Sequence, residues 1–452
     1  MNLLKNIVNL RGWKPRGTGC LYSSQRSMSA SEPAHLEPAN FRPQKVLILT
    51  KLSRYEFEKR RHPELTERQL ERCLRNRGSD YNMLLYHHYI HKGVENTVNS
   101  VFRAAGIETK VVYRFDYSDP NIEWADAIVT TGGDGTFLLA ASGVLERNKP
   151  LIGFNSDPMR SKGQLCLPQK YSVDVKEAID KLLNVLQGKF RWTFRSRIRV
   201  TLIGENIFRP PVELHDQQLL HPEYRYLDMD LQLRTLKENT PSTDESGLPR
   251  RVLPVLASMS LVLCSMDAVQ YPVIGRLISG CIFKFCNTKL PLIPYVTGIK
   301  QKCSGLIAST GTGSTSWTYN VNKLTEQNME EILTIVKEET GFGIRDTDPL
   351  FVRKITNKFN EMLITNPEEP RMVYTIRDQL VSSPMRSECV KPRGFARSIG
   401  VKSRCFDASL VIDGGLSFPF NDGTRALLEI HDVDALRTVT LHEDPTEVSF
   451  KH

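Results

Sequence analysis

One stretch limits what this chain can fold into more than any other: Asp126-Ala-Ile-Val-Thr-Thr-Gly-Gly-Asp-Gly-Thr-Phe-Leu-Leu-Ala140. The apolar run Ala127–Thr130 leads into Gly132, Gly133 and Gly135, and a helix-forming apolar sequence leads out. That order predicts a buried strand, a tight turn and a helix. Glycine adopts backbone angles closed to other residues and lets a ligand approach the main chain closely. The free N–H groups and positive dipole end of the following helix favour phosphate. Asp134 inside the turn is at odds with simple anion binding, because a carboxylate repels phosphate. It fits a site where a carboxylate takes a hydroxyl proton or holds Mg²⁺ between phosphates. A tight turn with an Asp helix cap is the plain alternative; five residues, Gly132 to Thr136, after an apolar strand are more specific than that.

Around this unit the pattern alternates. Lys45–Thr50 (KVLILT) is a short apolar run suited to a strand covered on both faces. Polar helical sequence follows from Tyr55 to about Arg77, and a second helix is expected over Tyr89–Ala105, with Val94, Val98, Val101 and Phe102 at helical spacing. Thr109–Tyr113 and Pro150–Phe154 read as further strands. Strands alternating with helices imply βαβ units and a mainly parallel, Rossmann-like sheet. After about Pro168 the texture changes. Val173–Leu186, Glu330–Glu339 and Lys354–Leu363 look helical, but Trp192–Leu202, Tyr226–Leu233, Val252–Leu263, Ser409–Ile412, Arg425–Ile430 and Thr438–Leu441 look like strands. The expected architecture is an α/β N-terminal domain over 41–168 and a β-rich, β-sandwich-like second domain over 169–424. The latter carries a helical insertion at about 325–365. The strands within 425–452 are left open to a return to the first domain.

Composition excludes some classes. At 452 residues the chain suits two or three domains, with 40% hydrophobic and 25% charged residues as in globular proteins. No run reaches the ~18 apolar residues of a membrane span, and the most apolar stretch, Ile274–Val296, is broken by Arg276, Lys284, Lys289, Pro291 and Pro294. No membrane partner is expected. A net charge of +9 invites a nucleic-acid reading. Residues 1–31, however, hold Lys5, Arg11, Lys14, Arg16 and Arg26 with no acid, which leaves 55 basic against 51 acidic residues elsewhere. No nucleic-acid partner is expected either. The same segment is serine-rich and opens on amphipathic Met1–Leu10, the composition of a mitochondrial transit peptide, so residues 1–40 are set aside. Nine scattered cysteines without a CxxC pair read as reduced thiols, not a disulfide frame or zinc site. His87, His88 and His91 lack further ligands at metal spacing and are assigned to packing; no metal-ligating residue is named.

The motif Gly132–Thr136 resembles the signature shared by NAD kinases and by diacylglycerol and sphingosine lipid kinases, with a near form in phosphofructokinases. Ser304–Thr315 resembles the second glycine/threonine loop of NAD kinases. Gly153 to Leu167, Arg404–Gly415, Phe420–Gly423 and Arg54–Glu58 resemble the mitochondrial NAD kinase branch, so the likeness runs from Lys45 to the end with one interruption. It implies phosphoryl transfer from ATP, or another phosphate donor, to the 2′-hydroxyl of the adenosine ribose of NAD. NADP would form with Mg²⁺, in the mitochondrial matrix, on a homodimer with its interface near Glu330–Leu363. Carried onto this sequence, it makes Asp134 the carboxylate that positions or deprotonates that hydroxyl. Gly132, Gly133, Gly135 and Thr136 would cradle phosphates. Thr310, Gly311, Thr312, Gly313, Ser314 and Thr315 would donate to NAD or the triphosphate. Asn155 would line the NAD site and Asp413 the second-domain wall of the cleft. Lys51 and Arg54 are candidates for donor-phosphate contacts, although a solvated, charged helix start explains them equally well.

The likeness breaks over one stretch. In the family, the strand entering the second domain carries an adjacent Asn-Glu pair that grips NAD. Here Leu253-Pro-Val-Leu-Ala257 continues as Ser258-Met259-Ser260. From there to about Thr297 the chain has one acid, Asp267, and three cysteines, and Ser304 stands where the family has Asp. Two explanations stay open, a diverged or impaired copy and a misplaced exon boundary over about 258–297. A lipid kinase and a catalytically impaired NAD-binding protein are accordingly the alternative functions.

Overall fold

In the computed structural model of the chain, the described residues are 41–441 except 184–189, 206, 209–210, 214–241, 244–248, 263–279, 287–298, 342–347, 380–390 and 406–407. The strand expected at Tyr226–Leu233 and the opening segment lie outside them. Strand β1 (Lys45–Thr50) is buried from Val46 onward, as its unbroken apolar run requires. Helix α1 (Arg54–Arg61) starts on a capping box in which Ser53 and Glu56 satisfy each other's backbone N–H groups. The single helical stretch expected to Arg77 divides at Pro63, and α2 (Glu67–Asn76) follows. Helix α3 (Tyr81–Ala104) begins earlier than its apolar spacing suggests, because Asp80 caps it by accepting the Met83 N–H at 3.1 Å. Strand β2 (Glu108–Val112), α4 (Asp119–Trp124), β3 (Ala127–Gly132), α5 (Asp134–Gly143) and β4 (Leu151–Asn155) complete a parallel sheet of order β2-β1-β3-β4. Helix α6 (Val175–Leu183) leads out of it. In that order β1, β3 and β4 are neighbours, so the segments leaving their carboxyl ends converge on one edge. That edge is where open parallel sheets bind ligands.

The rest is antiparallel. Strand β5 (Phe190–Arg195) and β6 (Ile198–Ile203) replace the one strand expected there, since the chain turns at Ser196 and Arg197. Then come β7 (Val212–Glu213), β8 (Ser242–Thr243), β9 (Pro249–Val255), β10 (Ser258–Val262), β11 (Gly280–Cys286), β12 (Ile299–Lys302) and β13 (Gly305–Ser309). Three helices follow, α7 (Trp317–Asn322), α8 (Glu326–Thr340) and α9 (Pro349–Glu361). The remaining strands are β14 (Met372–Arg377), β15 (Arg393–Ala396), β16 (Ser398–Arg404), β17 (Ser409–Ile412), β18 (Leu416–Pro419), β19 (Arg425–Ile430) and β20 (Leu436–Leu441). Two seven-stranded sheets, β15-β14-β13-β10-β17-β18-β7 and β12-β11-β16-β19-β6-β9-β8, form a sandwich. They share one core that includes Val200, Val255, Leu306, Met372, Ile399, Leu410, Phe418 and Leu428. Strand β10 continues one ladder between β13 and β17, and β11 the other between β12 and β16. The described parts of the segment at odds with the family thus keep both sheets in register; 263–279 and 287–298 lie outside the described residues.

Strand β20 pairs with β5 in a separate two-stranded ribbon. It delivers Leu436 to a core made of Leu47, Leu49, Ile128, Phe137 and Leu151, where Leu256 also lies. Leu436 is fully buried, so truncating it leaves a cavity among these residues. Leu436→Ala is expected to lower the urea unfolding free energy by about 2–5 kcal/mol. A loss within experimental error would show that β20 does not seal this core.

Candidate active site

The first glycine turn sits at the carboxyl end of β3. Gly132 ends the strand, Gly133 is the N-cap of α5, and Asp134 is the first helical residue. A Cβ on Gly132 would strike the Thr136 side chain, which folds back over the turn, so this position requires glycine. Gly135 is exposed with open space around it. Asp134 does not point freely into solvent. Its Oδ1 accepts the Leu165 N–H at 2.8 Å and its Oδ2 the Gln164 N–H at 3.1 Å. Hydrogen bonds to a charged acceptor are worth about 1.5–3 kcal/mol each, so the carboxylate is clamped to the segment behind β4. A carboxylate offers about four lone-pair sites, and two remain for a ligand hydroxyl or cation.

That segment has its own support. Asn155 is buried at the end of β4, donates its Nδ2 to the Ser161 carbonyl at 2.8 Å and accepts the Asp157 N–H at 3.1 Å. It therefore shapes the loop that carries Gln164 and Leu165. Cys166 lies under the turn, with its thiol 3.8 Å from the Gly132 carbonyl; burial, then the Asp134 charge, pushes it up to about 12, and it stays a thiol.

At the neighbouring strand ends, Lys51 reaches Asp157 at 3.6 Å, and Asp157 also meets His87 at 3.1 Å. These residues, with Arg54, His88 and Arg160, line a cavity of about 200 Å³. Burial holds Lys51 below the usual lysine range, against the pull of Asp157. Arg54 stacks over Phe57 and bonds buried Glu58 at 2.7 Å, so half of it is engaged by its own helix. Beneath the cavity His91 links Ser156, at 2.9 Å, to Thr50, at 3.3 Å. The histidines assigned to packing thus tie the segment after β1 to the one after β4.

The second glycine loop follows β13. Thr310 donates its hydroxyl to the Leu256 carbonyl at 2.6 Å and its N–H to the Ala257 carbonyl at 3.0 Å. Ser314 donates to the Gly311 carbonyl at 2.7 Å and receives the Thr365 N–H at 3.0 Å. A Cβ at Gly311 would enter the Asn366 carbonyl, and one at Gly313 the Ala257 carbonyl, so both glycines serve close main-chain approach. Asp413, at φ +47°, accepts the Leu256 and Ala257 N–H groups at 3.1 and 2.9 Å. This clasp divides the strand expected over Val252–Leu263, with β9 in one sheet and β10 in the other. Thr310 and Ser314 therefore build the loop, and Thr312 is buried beside them. The Thr312 hydroxyl is met by Arg195 at the end of β5, whose Nη1 lies 3.4 Å away. Thr315, half-buried, ends the turn.

Residues 46–182 match the model of the ATP-NAD kinase N-terminal domain. The protein named "NAD kinase 2, mitochondrial" of Xenopus tropicalis is 38% identical over 437 residues, 93% of this chain and 95% of that protein. The chain belongs to the NAD kinase family. Proteins of the same name from Homo sapiens (40% over 408 residues, 89% of this chain and 85% of that one) and Rattus norvegicus (38% over 451 residues, 97% and 98%) agree. NAD kinase relatives thus cover both glycine loops, not the first domain alone.

Sequence reasoning missed Arg195, His87 and Arg160 as site residues. Each is one basic residue among many in the sequence, and only tertiary structure brings it to a loop. His91 has a separate consequence. Burial, reinforced by the Lys51 and Lys92 charges and opposed by Glu56, takes its pKa from 6.5 to about 3; Glu95 also faces it at 3.6 Å. The folded chain then disfavours the proton that the unfolded chain binds below pH 6.5. This contribution to stability is complete above pH 6.5 and is lost as pH falls toward 3. Between pH 7.5 and 5 it amounts to roughly 2 kcal/mol. His91→Asn should flatten that part of the urea-midpoint profile; an unchanged slope would remove His91 as its cause.

Proposed function

We propose that this chain is a mitochondrial NAD kinase, which transfers the terminal phosphoryl group of ATP to the 2′-hydroxyl of the adenosine ribose of NAD and releases NADP. The observation that carries the mechanism is the seating of Asp134, a carboxylate clamped by two amides at the N-terminus of α5. The clamp fixes its direction and leaves lone pairs for the sugar hydroxyl, whose proton it takes as the oxygen attacks. Free N–H groups of the first turn of α5 face the same side and suit phosphate oxygens. The donors near Thr312 belong to the opposite loop, so the dinucleotide is held between the two domains. Positioning and charge neutralisation are sufficient for phosphoryl transfer. The Lys51 cavity supplies cations for the donor's outer phosphates.

Mg²⁺ fits this donor set, because it is held mainly by substrate phosphates and water with one or two carboxylates. Asp134 has lone pairs to spare for it, and it would neutralise phosphate charge. The basic, serine-rich residues 1–31 support delivery to the matrix. A homodimer is supported by exposed Ile335 and Leu350 on α8 and α9; light scattering should give twice the chain mass, and a monomer would dismiss it.

Purified protein with Mg·ATP and NAD should form NADP. Asp134→Asn should retain the fold and lose about 10²–10⁴-fold in kcat. A variant turning over at the normal rate would exclude Asp134 from the reaction. The missing Asn-Glu pair favours one other reading, a chain that binds NAD without converting it. Calorimetric binding of NAD by wild-type protein that forms no NADP would support that reading.

A further inference from the structure

Arg195 ends β5, and its Nη1 meets the Thr312 hydroxyl of the second glycine loop at 3.4 Å. Asp134 is the foremost opposite charge acting on it, ahead of Cys166 and Glu368, while burial holds it below the usual arginine range. Its Nε is buried and has no hydrogen-bond partner among the described residues. None of the described carboxylates lies within ion-pair distance of it. Asp134 is engaged by Gln164 and Leu165 instead, and Glu368 by Arg191 and the Phe194 N–H. A half-buried guanidinium whose Nε is buried and unpaired, and whose contact among the described residues is a neutral hydroxyl, is unfavourable. Its natural complement is an anion that arrives with the ligand. Among the described residues Arg197, two residues on, also has a buried Nε without a partner and donates only its Nη1, to the Val144 carbonyl at 2.6 Å. What differs is access, since Arg197 is sealed at 2% exposure and Arg195 is half-buried.

We propose that Arg195 is a catalytic residue of the transfer, its guanidinium held by Thr312 and receiving non-bridging oxygens of the phosphoryl group in flight. This rests on the functional reading above. In the step, the sugar oxygen bonds to the terminal phosphorus and its proton passes to Asp134. The bond from that phosphorus to the bridging oxygen breaks, and the nucleoside diphosphate leaves with the electron pair. Arg195 exchanges no proton; it offsets the charge spread over the equatorial oxygens. Its planar fork matches two such oxygens at once, which a lysine ammonium does not.

The test compares wild type with Arg195→Lys and Arg195→Ala. NADP formation should fall about 10³-fold in kcat for Arg195→Ala, with KM for NAD little changed and with millimolar guanidinium restoring at least tenfold. Arg195→Lys keeps the charge and most of the volume, so it is read if the alanine variant fails to fold; it should still lose at least tenfold in kcat. A kcat within threefold of wild type in the folded variant would overturn the proposal, as would a loss that appears only in KM. A second readout needs no turnover. Calorimetric binding of ADP, aluminium fluoride and NAD together, a mimic of the phosphoryl group in flight, should weaken at least tenfold in Arg195→Lys. Equal binding would overturn the role of Arg195 even in a chain that makes no NADP. Absence of NADP from wild type, with binding that still depends on Arg195, would count against the functional reading alone.

Discussion

Two consecutive backbone amides, those of Gln164 and Leu165, hold the carboxylate of Asp134, and the site depends on that clamp. It joins the turn after β3 to the segment after β4, so two neighbouring strand ends act as one rigid edge. The second domain repeats the device. Asp413 grips the consecutive amides of Leu256 and Ala257, and the carbonyls of those two residues receive Thr310. Each glycine loop is therefore anchored by an acid that closes on a pair of main-chain donors. The difference is access. Asp413 is committed to its turn at a positive φ, while Asp134 stands at the mouth of a helix whose free N–H groups attract phosphate.

In the proposed reaction a carboxylate would lie beside polyphosphate, which is electrostatically adverse, and the surroundings of Asp134 answer this in two ways. Its own negative charge is shared with amide donors. Cations are supplied nearby: Lys51 and Arg160 line the cavity at the neighbouring strand ends, and the Asp134 charge acts on Arg195 at the second loop. The parallel sheet and the antiparallel strands are also joined by apolar contact, since Leu256 and Leu436 enter the core of the parallel sheet. A substrate lying between the loops would thus meet fixed dipoles on both sides with little rearrangement of the protein.

Much of this was legible in the chain. The apolar run Lys45–Thr50 and the turn Gly132–Thr136 specify a buried parallel strand and a strand-to-helix corner from local chemistry alone. The βαβ alternation followed from them. The corners at Ser196–Arg197 and Leu256–Ala257 were not legible, because nothing local enforces them. The second is set by Asp413, 157 residues from Leu256 in sequence. Asn155 shows the same limit from the other side. Its motif marked it as part of the site, yet its amide is engaged in shaping the loop that carries the Asp134 clamp. Arg195 left no signal, since a lone arginine acquires meaning only when a fold brings it to the second glycine loop.

The most direct measurement is a crystal structure of the protein with NAD and a non-hydrolysable ATP analogue. The account predicts the 2′-oxygen of the adenosine ribose within ~2.6–3.2 Å of an Asp134 carboxylate oxygen, with the Gln164 and Leu165 amides still attached. A dinucleotide bound elsewhere, or an Asp134 side chain turned away from the ribose, would contradict it.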